Sequence, residues 1–428
     1  MELFFSGTKI VGEVVVPGDK SISHRALMLA AVSHGRSIIE GFLLSEDCLA
    51  TLQCLRQMGV SIEREGSAVL VEGVGWHGLK QTDTMLDVGN SGTTIRLLAG
   101  LLAGNQGLNV QLSGDSSIAR RPMLRVVAPL RQMGAVIGGQ ADGNYAPLVV
   151  KGKALHGIHY LLPVASAQVK SAVILAGLQA TGETVIIEPV LSRDHTELMI
   201  KQFGGHIERV GHEIRVGGGQ DLYGCQMSVP GDISSAAFWF VAAAIVPDSE
   251  ITVRGVGLNP TRSGILDVLT QMGADIEVLV TETSGELVGD VTVRYSALRG
   301  ITIDGAIIPR LIDELPVIAL LATQAKGTTI VRDAREMRVK ETDRIALTTK
   351  NLQCLGARII ATEDGFVIEG GTVLAGGEID SYGDHRLGMM AAIASLVTKA
   401  PVELANPEVV NVSYPGFFET FDQIRGGS

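Results

Sequence analysis

The sequence predicts an α/β protein written as six repeats in two sets of three, and three recurring patterns carry that prediction. Six almost uncharged, Ala/Leu-rich stretches occupy residues 24–32, 93–104, 167–178, 233–246, 313–322 and 385–397. Stretches that are apolar all round predict helices buried on every side. Five segments share a second plan: LRQMGV (55–60), LRQMGAVI (130–137), IKQFGGHI (200–207), LTQMGADI (269–276) and LQCLGARI (352–359). Each reads as the end of an amphipathic helix closed by a glycine (Gly59, Gly134, Gly204, Gly273, Gly356) and followed at once by a strand. Glycine suits the left-handed residue that closes a helix. Third, the tetrapeptide VPGD occurs at 16–19 and again at 229–232, each time ending a strand and opening a buried helix.

In chain order each repeat reads as strand, buried helix, strand, amphipathic helix, then short strands joined by a turn. TVIIE (184–188), ITVRGV (251–256), TTIVRD (328–333) and GFVIEG (365–370) are examples of the strands. An interval of roughly 70–80 residues is long for a solenoid and fits a small α/β subdomain. The C-terminal FFETFDQIRGG supplies a sixth glycine-ended helix. Mixed sheets with helices packed against them follow from the alternation. Placing the chain crossings at the two VPGD turns gives one lobe over residues 20–230 and a second over residues 1–19 plus 231–428.

The chain has 428 residues, long enough for two or three domains with ample core. A hydrophobic content of 46% against 19% charged residues places it well away from disordered chains. A net charge of −11 counts against a nucleic-acid partner, but leaves room for a locally positive cleft that takes small anions. No apolar run reaches the about 20 residues that span a bilayer, and MELFFSGTKI lacks the basic start and cleavage site of a signal peptide. Cys48, Cys54, Cys225 and Cys354 form no C-x-x-C pair, so reduced, mostly buried thiols in a cytoplasmic protein are expected.

The polar runs before the buried stretches (PGDKSIS, DVGNSG, PVAS, VPGD, IPRLI, SYGD) locate the chemistry. Helix N-termini carry unpaired N–H groups and partial positive charge, so several aimed at one place would bind a small polyanion. PGDKSISHR (17–25) puts Lys20, Ser21 and Arg25 at a helix start, which reads as an anion site or as an ordinary cap with solvated cations. LDVGNSGTTIRLL (86–98) offers backbone N–H groups with little side-chain obstruction, and Arg96 to add charge or brace the loop. It lacks the G-K-[ST] of a nucleotide-hydrolysing P-loop. GDSSIARRPM (114–123) has the look of a mobile surface loop, whose Arg120 and Arg121 read as a solvated basic pair or, one of them, as a ligand contact.

RVKETDR (338–344) alternates Arg338, Lys340 and Arg344 with Glu341 and Asp343, offering cations and acids together. PRLIDELP (309–316) sets Asp313 and Glu314 at the start of a buried helix, where an acid suits the helix dipole or acts as a general base. GDHR (383–386) places Asp384, His385 and Arg386 before another. GVGWHG (73–78) matches a dinucleotide fingerprint by letter only; no helix is expected after it, so it reads as a turn. The nine histidines show no paired metal spacing, and neither a metal nor a cofactor is expected.

Taken together, VPGDKSISHRALMLAA, GNSGTTIRLLAG, RPM, ASAQVKSA, GDISSAAFWF, IDELPVIALLA, RVKETDR and GDHRLGM closely resemble the 5-enolpyruvylshikimate-3-phosphate synthase family, in order over nearly the whole chain. The resemblance implies two lobes of three βαβαββ repeats each, an inside-out α/β barrel with the active site in the cleft between them. It implies enolpyruvyl transfer from phosphoenolpyruvate to the 5-hydroxyl of shikimate 3-phosphate, by a protein expected to be a monomer with no nucleic-acid or membrane partner. Lys20, Ser21, Arg25, Ser166, Ala167, Gln168, Ser192, Arg193, Asp313, Glu336 and Lys340 match the family's shikimate 3-phosphate groups. Lys20, Gly92, Arg121, Gln168, Arg344 and Arg386 match its phosphoenolpyruvate groups. Asp313, Glu341, Lys20 and Lys340 match the residues that share the proton transfers. Ala167 replaces a serine of other members, and Val412 stands where some carry a lysine. The similar UDP-N-acetylglucosamine enolpyruvyl transferases typically show Lys-Asn at the first helix and a loop cysteine, where this chain has Lys20-Ser21 and no cysteine in 114–121.

Overall fold

The computed structural model describes residues 1–283 and 285–425. The chain divides into two compact units, residues 18–229 and residues 1–17 with 230–428, each with its own hydrophobic core. The two VPGD turns contain both divisions, and each supplies a helix cap. The Asp19 carboxylate accepts from the Ile22 N–H at 2.9 Å, and the Asp232 carboxylate from the Ser234 N–H at 2.8 Å.

In residues 18–229 three apolar helices, Lys20–Ala31, Gly92–Ala103 and Ala167–Gly177, lie inside three four-stranded sheets. The helices are buried over nearly their whole length, as stretches with no polar face require. Gly100 lets two of them touch: a Cβ there would sit 2.2 Å from the Ala172 carbonyl oxygen. The sheets run Gln226–Ser228, His34–Glu40, Ala68–Val74, Ser61–Glu65; then Leu86–Asp87, Asn109–Ser113, Tyr145–Lys151, Val136–Gly139; then His159–Leu161, Glu183–Ile187, Glu213–Gly217, Ile207–Val210. The first pair of each is parallel and the rest antiparallel. Parallel neighbours need a crossover, which in the second and third sheets is the buried helix. The first sheet borrows its strand from the end of the unit instead.

Residues 1–17 with 230–428 repeat the plan around Ile233–Ile245, Leu315–Gln324 and His385–Ala394. Two sheets have four strands, and in the first Val11–Val15 pairs parallel with Glu250–Gly257. The third has three, Glu2–Leu3, Val402–Ala405 and Gly377–Asp380. Much of the scarce aromatic content sits here: the Trp239 indole N–H donates to the Tyr414 hydroxyl at 3.0 Å, and Phe417 stacks on Trp239. These contacts seat helix Phe417–Arg425 on helix Ile233–Ile245. The glycines of its FFETFDQIRGG segment lie outside the described residues.

The α/β class is as expected, and so is the order of elements in the first five repeats; the last ends, among the described residues, at helix Phe417–Arg425, and Glu2–Leu3 completes its sheet. Gly59, Gly134, Gly204, Gly273 and Gly356 all have positive φ, between 80° and 100°, just past the helices they close. GVGWHG ends strand Ala68–Val74 and turns, and the next element is strand Leu86–Asp87, not a helix. Three readings change. The buried stretch predicted from 313 starts as a helix at Leu315, with Pro316 in its first turn, so Asp313 and Glu314 precede the regular helix. The supposed loop at 114–123 contains a short helix, Ser116–Arg120, because the Asp115 carboxylate caps it through the Ser117 and Ile118 N–H groups. The thiols are less uniformly buried than expected: Cys48 and Cys54 are buried, Cys225 partly, and Cys354 exposed, all four free. No helix among the described residues is long and apolar enough to cross a membrane.

Candidate active site

Residues 18–229 gather cations and hydroxyls at the starts of buried helices. Ser91 caps Gly92–Ala103 by accepting from the Thr94 N–H at 3.2 Å, and Ser166 caps Ala167–Gly177 by accepting from the Val169 N–H at 3.4 Å. Gln168 joins the two starts: its amide oxygen accepts from Arg96 and its amide N–H donates to the Thr93 hydroxyl at 3.0 Å. Arg96 thus braces the loop. At Gly92 a Cβ would meet Arg121 Nη1 at 2.6 Å, so the absence of a side chain is what lets that guanidinium lie against the helix start. Arg121 is 7% exposed while Arg120 faces solvent.

Lys20 opens helix Lys20–Ala31 and holds an ion pair of 2.9 Å with Asp47, whose carboxylate is almost fully buried. Arg25, one turn on, is tied by Nε to the Thr196 hydroxyl at 2.7 Å, by Nη2 to the Ser171 hydroxyl at 2.8 Å and by Nη1 to the Ser21 carbonyl at 2.9 Å. Between them His24 is buried against Thr51, its Nδ1 2.7 Å from that hydroxyl. Burial, with Lys20 and Arg25 nearby, holds the His24 imidazole well below its usual pKa, so it stays neutral. Ser192 donates its hydroxyl proton to Glu188, and Arg193 beside it is partly buried.

Residues 1–17 with 230–428 bring together carboxylates instead. Asp313 Oδ1 lies 3.1 Å from Lys340 Nζ and 3.2 Å from Arg344 Nη1. Arg344, 1% exposed, also grips Asp384 through Nε at 2.7 Å and Nη2 at 3.1 Å, and Glu341 at 2.6 Å. Burial alone would lower its pKa, but Asp384, Glu341 and Asp313 together hold the guanidinium above its ordinary value. Asp384 caps helix His385–Ala394 by accepting from the Arg386 N–H at 3.0 Å. The Arg386 side chain is 5% exposed, and its Nε and Nη1 have no hydrogen-bond partner among the described residues. A buried guanidinium with uncommitted donors is suited to an anionic ligand. Glu336 lies partly buried in the 3₁₀ turn Arg335–Val339.

The structure therefore unites Gly92, Arg121 and Gln168 in one unit, and Asp313, Lys340, Glu341 and Arg344 in the other. Val412 is 7% exposed at the end of the 3₁₀ turn Pro407–Val412 and supplies no cation. Sequence reasoning missed Asp47, which holds Lys20, and gave Asp384 no partner. It also missed Arg262, 2% exposed, which reaches Asp232 at 3.1 Å, the Ser234 hydroxyl at 2.8 Å and Asp313 at 4.0 Å. Nothing in its loop sequence signals that role. The buried thiols are poor nucleophiles: burial pushes Cys48 up, and Cys54 to about 12.

Helix starts lined with cations in one unit, and acids paired to lysine and arginine in the other, define an α/β enzyme for small polyanions. The family model "EPSP synthase (3-phosphoshikimate 1-carboxyvinyltransferase)" matches residues 5–421. The chain is 56% identical over 421 residues to the 3-phosphoshikimate 1-carboxyvinyltransferase of Geobacillus kaustophilus, covering 98% of both chains. It is 54% identical to that of Brevibacillus brevis over 417 residues, 97% of this chain and 98% of the relative. Among solved structures it is similar to EPSP synthase from Acinetobacter baumannii, with a TM-score of 0.88 at 42% identity over 99% of this chain and 97% of the other. A TM-score of 0.81 to the enolpyruvyl transferase NikO from Streptomyces tendae, at 19% identity over 99% of this chain and 96% of the other, shows a shared fold. This chain belongs to the EPSP synthase family.

Proposed function

We propose that this protein transfers the enolpyruvyl (carboxyvinyl) group from phosphoenolpyruvate to the 5-hydroxyl of shikimate 3-phosphate and releases phosphate, a step of the shikimate pathway to chorismate and the aromatic amino acids. The observation that carries the reading is the Arg344 cluster, in which Asp313, Glu341 and Asp384 share one buried guanidinium and Lys340 sits 3.1 Å from Asp313. It sets a base, an acid and an ammonium within reach of one another, which addition followed by elimination requires.

In the addition, the hydroxyl oxygen bonds to C2 of phosphoenolpyruvate, its proton passes to Asp313, and the methylene carbon gains a proton. In the elimination that carbon gives up a proton, the C2–O bond to phosphate breaks, and phosphate leaves. Glu341, Lys340 and Lys20 share these proton movements with Asp313. Both substrates carry a carboxylate and a phosphate, and cations with helix N-termini offset their repulsion. Lys20, Ser21, Arg25, Ser166, Ala167, Gln168, Ser192, Arg193, Asp313, Glu336 and Lys340 take shikimate 3-phosphate. Lys20, Gly92, Arg121, Gln168, Arg344 and Arg386 take phosphoenolpyruvate.

The protein acts as a monomer in the cytoplasm, a reading in keeping with its four free thiols. Proton NMR of a mixture with both substrates tests the reaction. The expected result is a new pair of vinyl signals from the enol ether, growing as phosphoenolpyruvate is consumed. Consumption without that pair would contradict the proposal.

A further inference from the structure

One buried cluster of charge in residues 18–229 takes no part in the groups assigned above. Lys170, in the first turn of helix Ala167–Gly177, is 0% exposed among apolar neighbours. Its ammonium has three acceptors: Glu197 Oε1 at 2.8 Å, the Ser192 carbonyl at 3.2 Å and Glu188 Oε2 at 3.3 Å. Three donors meet three acceptors, so the group is fully used. Glu188, with its side chain also fully buried, is saturated in turn. Its Oε1 accepts from the Ser192 N–H at 3.2 Å and from the Ser192 hydroxyl, and its Oε2 from Lys170 and from Arg209 Nη2 at 3.0 Å. Arg209 closes the ring on Glu197 at 2.6 Å. The backbone of Glu188 is pinned as well: its N–H donates to the His212 carbonyl at 2.9 Å, and its carbonyl accepts from His212 Nδ1 at 2.8 Å.

Two cations and two carboxylates cancel in charge. Burial would raise the Glu197 carboxyl, but Lys170 and Arg209 hold it below its ordinary value, so Glu197 stays ionised. Stability does not explain such a cluster, because desolvation offsets the attraction and a hydrocarbon of similar volume serves a core at least as well. Direction is what charge adds. Here it converges on one residue: the N–H, the hydroxyl and the carbonyl of Ser192 are all taken by Glu188 and Lys170. Lys170 is also one helical turn from Ser166, to whose carbonyl its own N–H donates at 3.0 Å.

We propose that Lys170 and Glu188 are positioning residues that lock the Ser192–Arg193 segment to the helix start at Ser166–Gln168, making the two segments one preformed cradle for a phosphate monoester. Locking the segment before binding removes the cost of ordering it when the ligand arrives. The proposal rests on the assignment of these two segments to shikimate 3-phosphate.

Calorimetry on the full-length protein, with shikimate 3-phosphate and shikimate as paired ligands, tests it. For Lys170→Met the expected result is a loss of roughly 10–100-fold in affinity for the phosphorylated ligand, the range seen when groups that orient binding side chains are removed. Affinity for shikimate changes less than about twofold, since the cradle touches only the phosphate. Glu188→Gln keeps the side-chain shape and carries the same readout if Lys170→Met does not fold. A lower melting temperature with an unchanged ratio of the two affinities would overturn the positioning role and leave the cluster purely structural. A wild-type protein that binds shikimate as tightly as its phosphate ester would overturn the phosphate assignment itself.

Discussion

The two units repeat one scaffold and carry opposite chemistry. In residues 18–229 the helix starts display Lys20, Arg25 and Gln168, the Arg121 guanidinium lies against the start at Gly92, and Asp47 beside Lys20 is nearly buried. In the other unit the start of helix His385–Ala394 is capped by Asp384, and Arg344 binds three carboxylates at once. The first arrangement suits holding anions without changing their protonation. The second pairs each acid with a cation, so that a proton gained or lost by one is compensated nearby. Repetition thus supplies rigid helix ends, and the residues placed on them differ, hydroxyls and cations in one unit and cation-paired carboxylates in the other.

Substitutions in the two regions should separate these tasks. The largest effect is expected at Asp313→Ala, which removes the base. Turnover should fall by about 10²–10⁴-fold, with shikimate 3-phosphate binding still measurable by calorimetry; near-normal turnover would remove the base assignment. Gly92→Ala comes next. The added methyl would meet Arg121 Nη1 at 2.6 Å, so the KM for phosphoenolpyruvate should rise by about 10-fold or more, while that for shikimate 3-phosphate holds. Equal changes in both would show that the helix start as a whole had moved. Lys20→Met should weaken both substrates, because its ammonium is assigned to each, and unchanged affinities by calorimetry would take it out of the site.

The smallest effect concerns stability. His24 is neutral when folded because burial, Lys20 and Arg25 depress its pKa below 6.5. As pH falls through that value the unfolded chain takes up a proton that the folded one refuses. The imidazole therefore costs stability below about pH 6.5, by up to about 1.4 kcal/mol per pH unit until the folded pKa is reached. Denaturant melts of His24→Asn should show a shallower loss between pH 6.5 and 5.5 than the parent; parallel losses would mean that other groups set the acid limit.

Much of the scaffold is legible because its signals are local. A run such as ISSAAFWFVAAAIV has no polar face, and a glycine after LRQM closes a helix, so both announce themselves within a few residues. The start of the helix near 313 was misplaced by two residues, although Pro316 marks the first turn in the sequence itself. The partners in the sites are a different matter. Asp47 lies 27 residues from Lys20, and Arg344 meets Asp384 across 40. Lys170 is a charge inside an apolar stretch, but nothing nearby in sequence names Glu188 or Glu197 as its partners.

The central claim is that the protein transfers the enolpyruvyl group of phosphoenolpyruvate to a phosphorylated cyclic alcohol and releases phosphate. Phosphate release from phosphoenolpyruvate, measured with shikimate 3-phosphate and separately with UDP-N-acetylglucosamine, tests it most directly. Rapid release with shikimate 3-phosphate and none with UDP-N-acetylglucosamine is the predicted result. Release only with UDP-N-acetylglucosamine, or equally with neither acceptor present, would contradict it.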